Sequence, residues 1–163
     1  MARYGRAYPT RAVLSRRIAA ATAAITGTAT ASITETDVVT GGKTIIITLT
    51  NDEWVIAGAT FDGQRQNIIN GIDSAQAEAT GWDAVVKAAQ GVAGVVRTSA
   101  TVVTVTLDAF ATYNITATET ITVTVPSTAL SGATAVVGSP TFTVSAVGAA
   151  NLRRYSLTVS GVG

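Results

Sequence analysis

The sequence predicts a mainly β protein: an antiparallel β-sandwich with one helical insertion, preceded by an extended basic N-terminal arm. Three observations predict it. Apolar and hydroxyl side chains alternate with a period of two through most of residues 28–146. The period lengthens to about 3.6 once, between Gln64 and Ala79. All five N-terminal arginines, Arg3, Arg6, Arg11, Arg16 and Arg17, precede the first acidic residue, Glu35.

The expected organisation is an arm over residues 1–26, a β domain over 27–147 with a helix at about 64–79, and a C-terminal strand or docking segment over 148–163. The arm shows no sustained alternation. Its alanines favour helix within residues 11–25, so it reads as extended or partly helical and ordered by a partner. The apolar run Ile18–Ile25 behind Arg16–Arg17 is too short and too far from the N-terminus to read as a signal peptide.

The domain begins near Gly27, with Thr28–Thr34 as a first strand. Gly41-Gly42 is a turn. Lys43–Thr50 is a strong strand, with Ile45, Ile47 and Leu49 on one face and threonines on the other. Asn51-Asp52 opens the next turn, and Trp54–Thr60 reads as a short strand. Ile68, Ile72, Ala75 and Ala79 then fall at helical spacing, with Asp62 as N-cap and Gly81 as stop. A second helical stretch covers Asp83–Gln90.

Four strands follow. Val95–Thr98 is short. Thr101–Leu107 points Val103, Val105 and Leu107 inward. Thr120–Val125 does the same with Ile121, Val123 and Val125 before Pro126. Thr141–Ala146 sets Phe142, Val144 and Ala146 on one face. Tyr155–Val159 alternates again, after a loop or docking patch at Asn151-Leu152-Arg153-Arg154. Six or seven short strands with regular turns suggest a sandwich with Greek-key connections.

Composition narrows the function. The chain has 163 residues, with no cysteine and no histidine. Thiolate, zinc-thiolate and iron–sulfur chemistry are excluded, as is a Ser-His-Asp triad. A chain of this length buries about 70% of its unfolded surface without a disulfide. Charged residues make up 13% of the sequence, against about 25% in an ordinary soluble domain. Hydroxyls from 28 threonines must therefore supply much of the solubility, which suits an outer-surface protein better than a cytosolic enzyme. The overall charge of +1 conceals a division: residues 1–34 carry five arginines and no acid, whereas residues 35–163 hold six basic and ten acidic residues. The electrostatics belong to the arm.

The run Thr112-Tyr113-Asn114-Ile115-Thr116-Ala117-Thr118-Glu119-Thr120-Ile121-Thr122-Val123-Thr124-Val125-Pro126 continues through Ala129-Leu130 to Pro140-Thr141-Phe142-Thr143-Val144. With Asn67–Ile72, Gly81–Val86 and Val95–Ser99, it resembles an Ig-like domain recurrent in structural proteins of tailed bacteriophages. The resemblance covers about residues 28–146. It implies an Ig-like sandwich and a virion role: a non-enzymatic protein that decorates or stabilises a capsid by docking through its arm. A tail-associated role (tail tube, terminator or baseplate) and a displayed carbohydrate-binding module are the alternatives. The implied partners are the major capsid protein or other virion subunits, with copies forming a homo-oligomer or a symmetric array on the head surface. Neither nucleic acid nor membrane is an expected partner, and no cofactor or metal is expected.

The expected docking residues are Arg3, Tyr4, Arg6, Tyr8, Arg11, Arg16 and Arg17, with Arg153 and Arg154. Guanidinium groups pair bidentately with carboxylates, and tyrosines are rigid interface anchors. The rivals for the arm are phosphate contacts and a solvated tail. Arg153-Arg154 precedes either a strand added to a neighbour's sheet or the domain's own last strand. Asp52-Glu53 and Asp62, near Trp54 and Phe61, read as turn and cap residues ahead of glycosidase or calcium chemistry. Trp54 and Trp82 read as core ahead of a sugar platform.

Overall fold

The computed structural model describes residues 23–29, 33–56, 58–132 and 136–147. The structure is mainly β. The strands are β1 (Ala23–Ala29), β2 (Ile33–Thr34), β3 (Thr44–Thr50), β4 (Ile72–Ser74), β5 (Val95–Arg97), β6 (Val102–Thr106), β7 (Glu119–Val123), β8 (Val136–Val137) and β9 (Thr141–Ser145). The helices are α1 (Glu35–Thr40), α2 (Ala59–Asp62) and α3 (Arg65–Asn70), joined by a π-helical turn at Trp82–Lys87 and 3-10 turns at Val92–Gly94 and Ser127–Ala129.

Two sheets form. One has the order β5-β6-β3-β1-β8, the other β2-β9-β7-β4. Most neighbours are antiparallel, but β1 pairs with β8 and β2 with β9 in parallel. A purely antiparallel arrangement is therefore corrected. The chain changes sheets between β1 and β2, which sets β2 beside β9, and β8 crosses to the sheet of β1 between β7 and β9.

The alternation translates directly into burial. Ile45, Ile47 and Leu49 of β3 are buried, as are Val103 and Val105 of β6. From the other sheet come Ile33, Ile72, Ile121, Val123, Phe142 and Val144, and both sets belong to one apolar core. Each fully buried side chain of this size contributes about 1.5–3 kcal/mol of transfer free energy.

Several expectations shift. The first strand starts at Ala23, not Thr28, so β1 takes four residues assigned to the arm and part of the stretch read as helix. It pairs antiparallel with β3 and carries a bulge between Ile25 and Gly27. The described residues of Trp54–Thr60 form no strand: Trp54 makes an isolated bridge to Leu130, and Ala59 opens a helical turn.

The helix expected over 64–79 ends at Asn70. Gly71 explains the stop. Its amide bonds the carbonyls of Asn67 and Ile68, and its carbonyl accepts from Thr124 N at 2.7 Å and Thr124 Oγ1 at 3.0 Å. A Cβ at residue 71 would collide with the Thr124 carbonyl. The chain is pinned to the end of β7 and leaves as β4, so Ile72 is buried as a strand residue opposite Val123. Asp62 ends α2 instead of capping the long helix, and Gly81 precedes the π-helical turn instead of closing a helix.

α1 was not foreseen. Thr34 and Asp37 cap it reciprocally: Thr34 N donates to Asp37 Oδ2 at 2.9 Å, and Asp37 N donates to Thr34 Oγ1 at 3.2 Å. At its far end Gly41 has φ 78° and packs against the backbone of Asp108 and Ala109, a conformation and a contact that favour glycine.

Candidate functional site

The expected docking residues, Arg3, Tyr4, Arg6, Tyr8, Arg11, Arg16, Arg17, Arg153 and Arg154, lie outside the described residues, as does the strand expected at Tyr155–Val159. The described residues do fix where the two segments are attached. The arm enters at Ala23, which pairs with Val136, next to Ala24 opposite Thr50. β1 then runs toward Ala29, opposite Ile46. The C-terminal segment departs at the other end. Ser145 pairs with Thr34, and Val147 N donates to Glu35 Oε2 at 3.0 Å, at the start of α1.

Among the described residues, the most concentrated polar site is interior. Glu119, at the start of β7, is 0% exposed. Trp82 N donates to Oε1 at 3.2 Å and Oε2 at 3.0 Å. Tyr113 donates its hydroxyl to Oε2 at 2.7 Å, and Ser74 Oγ reaches Oε1 at 3.3 Å. Three elements supply these donors: β4, the π-helical turn and the loop before β7. Gly81 lies so close that a Cβ there would overlap the carboxylate. Burial, and then the hydrogen bond to Glu119, push the Tyr113 hydroxyl far above the usual tyrosine range.

Around this carboxylate the core closes. Trp82 meets Phe142 edge-on at 5.6 Å and donates its indole N–H to the Ile72 carbonyl at 3.0 Å. The arrangement fastens β4, the π-helical turn and β7 to one another. Its chemistry is that of a buried acceptor saturated by fixed donors. The sequence carried a signal for it: Glu119 has the same strand parity as Ile121, Val123 and Val125, so the alternation already placed it inward.

The other singled-out residues have structural partners. Asp52 Oδ1 accepts from Glu53 N at 2.7 Å and Gly132 N at 3.0 Å, tying two turns together. Asp62 pairs with Arg65 at 2.6 Å, and the guanidinium lies 5.8 Å from the Phe61 ring centroid. Trp54 is 0% and Trp82 2% exposed, so neither presents an indole face to a sugar ring. Lys43 pairs with Asp37 at 3.5 Å, and Lys87 with Asp73 at 2.5 Å. Among the described residues no group of acidic side chains is arranged to hold a metal ion, no pocket is present, and no helix is long and apolar enough to cross a membrane.

Comparison with family models, with curated proteins and with solved structures finds no significant match to this chain.

Proposed function

We propose that this chain is a structural protein of a tailed-bacteriophage virion, in which an Ig-like β-sandwich is held on the capsid by a basic N-terminal arm. The strand order supports the fold half of the reading. β1, β3, β6 and β5 lie side by side in the order A-B-E-D of the immunoglobulin sandwich, and β4, β7 and β9 in the order C-F-G. The chain visits them in that same alphabetical sequence.

The observation that carries the functional half is the charge division. Five arginines precede Glu35, and the remaining chain is net acidic. Arginine forks bind surface carboxylates bidentately, and many weak copies on a symmetric shell add up through avidity. The arm docks on acidic patches of the shell, and the sandwich stands on it as an inert cover. The threonine-rich faces of β3 and β6 suit exposure on a particle: threonine favours the strand while its hydroxyl is solvated.

The second reading is a tail-associated subunit with the same arm. Copy number separates the two. Quantitative mass spectrometry of purified particles should find this chain in proportion to the shell subunits. Copies matching a single ring or a stack of rings would assign it to the tail, and absence from the particle would refute both. The carbohydrate-binding alternative lacks support from its two tryptophans, since both are core residues.

A further inference from the structure

Exposed strand edges are hazards that folded proteins cover, shorten or charge. Most edges here are managed. At the β2 edge, Thr34 N is occupied by the Asp37 carboxylate. At the β4 edge, Ser74 N donates to Asp83 Oδ1 at 3.0 Å, and Asp73 carries an ion pair with Lys87. The β5 edge is flanked by α3 and the 3-10 turn, where Arg65 Nη1 reaches the Val92 carbonyl.

β1 is the exception. On its β8 side only Ala23 and Ala24 are paired, because β8 ends at Val137 and Gly138, at φ 89°, turns the chain away. Among the described residues nothing pairs with that side of Ile25–Ala29. This stretch carries no charge and no proline. Among the described residues it is five residues of strand edge without a partner, broken by the bulge between Ile25 and Gly27.

We infer that the chain's own C-terminal segment, Tyr155–Val159, covers this edge as a sixth strand, antiparallel to Ile25–Ala29. Three observations select this occupant. The segment is five residues long and alternates Tyr155, Leu157 and Val159 with Ser156 and Thr158, matching both the length of the gap and a half-buried strand. The C-terminal chain departs at the correct end, since β9 finishes beside Thr34 while β1 finishes at Ala29. The reach is sufficient. Ala29 is four residues from Ile33, which pairs with Val144, so the end of β9 lies at most about 20 Å from Ala29. Residues 146–154 can span about 30 Å. A strand starting at that end and lying along β1 runs from Ala29 back to Ile25. Arg153 and Arg154 then sit at the α1 end of the domain, opposite the entry of the N-terminal arm.

Hydrogen exchange on the full chain, read by NMR or by mass spectrometry, tests this. Amides within Tyr155–Val159 should exchange at least about 100-fold more slowly than unstructured peptide, independent of protein concentration. Leu157→Pro, which removes one ladder donor and disfavours pairing, should speed exchange within Ile25–Ala29 while β3 and β6 keep their protection. Unprotected Tyr155–Val159 amides in the unsubstituted chain would overturn the inference, whatever the variant does. Protection lost on dilution, together with a dimer mass, would also overturn it, by giving the edge to a second copy. A disulfide formed within one chain by Thr28→Cys and Ser156→Cys, or by Thr28→Cys and Thr158→Cys, supports the inference. One formed only between chains contradicts it.

Discussion

At the scale of single residues, Glu119 is the most consequential side chain in the described structure. A buried carboxylate that loses its donors, or donors that lose their carboxylate, cost about 1–3 kcal/mol per unsatisfied group, and more when charge is involved. Glu119→Gln removes the negative charge and replaces one acceptor by an NH2 group, which in either orientation meets the Trp82 amide, itself a donor, at 3.0–3.2 Å. The variant should lose about 2 kcal/mol or more in denaturant unfolding. Tyr113→Phe, which removes only one donor, should lose less. Gly81→Ala should also destabilise, by about 1–3 kcal/mol, because a methyl group has no space beside the Glu119 carboxylate. Wild-type midpoints for Gly81→Ala would mean that the carboxylate moves freely and the network is not a fixed clasp.

At the scale of elements, α1 has only six residues and stays folded through its capping box and Val38, which is buried. Thr34→Ala should cost about 1 kcal/mol. The Thr34 amide, the Thr34 hydroxyl and then Lys43 hold the Asp37 carboxyl below the usual aspartate range. A lowered folded value means that its stabilisation is complete above the unfolded value near 3.9 and is lost as pH falls through the folded value. The gap between wild type and Thr34→Ala should therefore be widest at neutral pH and narrow below about pH 4. Lys87 is shifted up, and Asp73 down, chiefly by the hydrogen bond between them. That pair contributes between the two ordinary values and fades outside them. Urea unfolding at several pH values checks both statements.

Legibility in the sequence also divides by element. β3, β6, β7 and β9 were readable because each alternates over at least five residues and one face is fully buried. The helix at 64–79 was over-extended because Ile68 and Ile72 satisfy helical spacing equally well when Ile72 begins a strand. Only the tertiary contact of Gly71 with Thr124 decides between them. β8 and α1 were missed because two and six residues carry too little periodicity. The Glu119 clasp was legible only in part: strand parity placed the carboxylate inside, but its donors come from residues 74, 82 and 113, which nothing local joins to it.

At the scale of the whole molecule, charge and architecture separate cleanly. Among the described residues the buried polar or charged ones are Glu119 and Gln90, and Gln90 is satisfied by Thr106, Gly91 and Asp108. Five of the eleven cationic residues precede β1 in the sequence. On the proposed function, the placement of this domain depends on what its arm binds. If the arm docks through its arginines as proposed, attachment should weaken with added salt, steeply at first and then less once the Debye length falls below about 8 Å. Substitutions within the clasp should change unfolding and leave attachment intact, whereas substitutions in the arm should do the reverse.

The most direct test replaces Arg3, Arg6, Arg11, Arg16 and Arg17 together by glutamine in the full chain and measures its occupancy on purified particles at physiological salt. The account predicts at least about a tenfold loss of bound copies with an unchanged unfolding midpoint, since losing even 1.4 kcal/mol of ionic contact lowers affinity tenfold. Occupancy equal to that of the unsubstituted chain would contradict it.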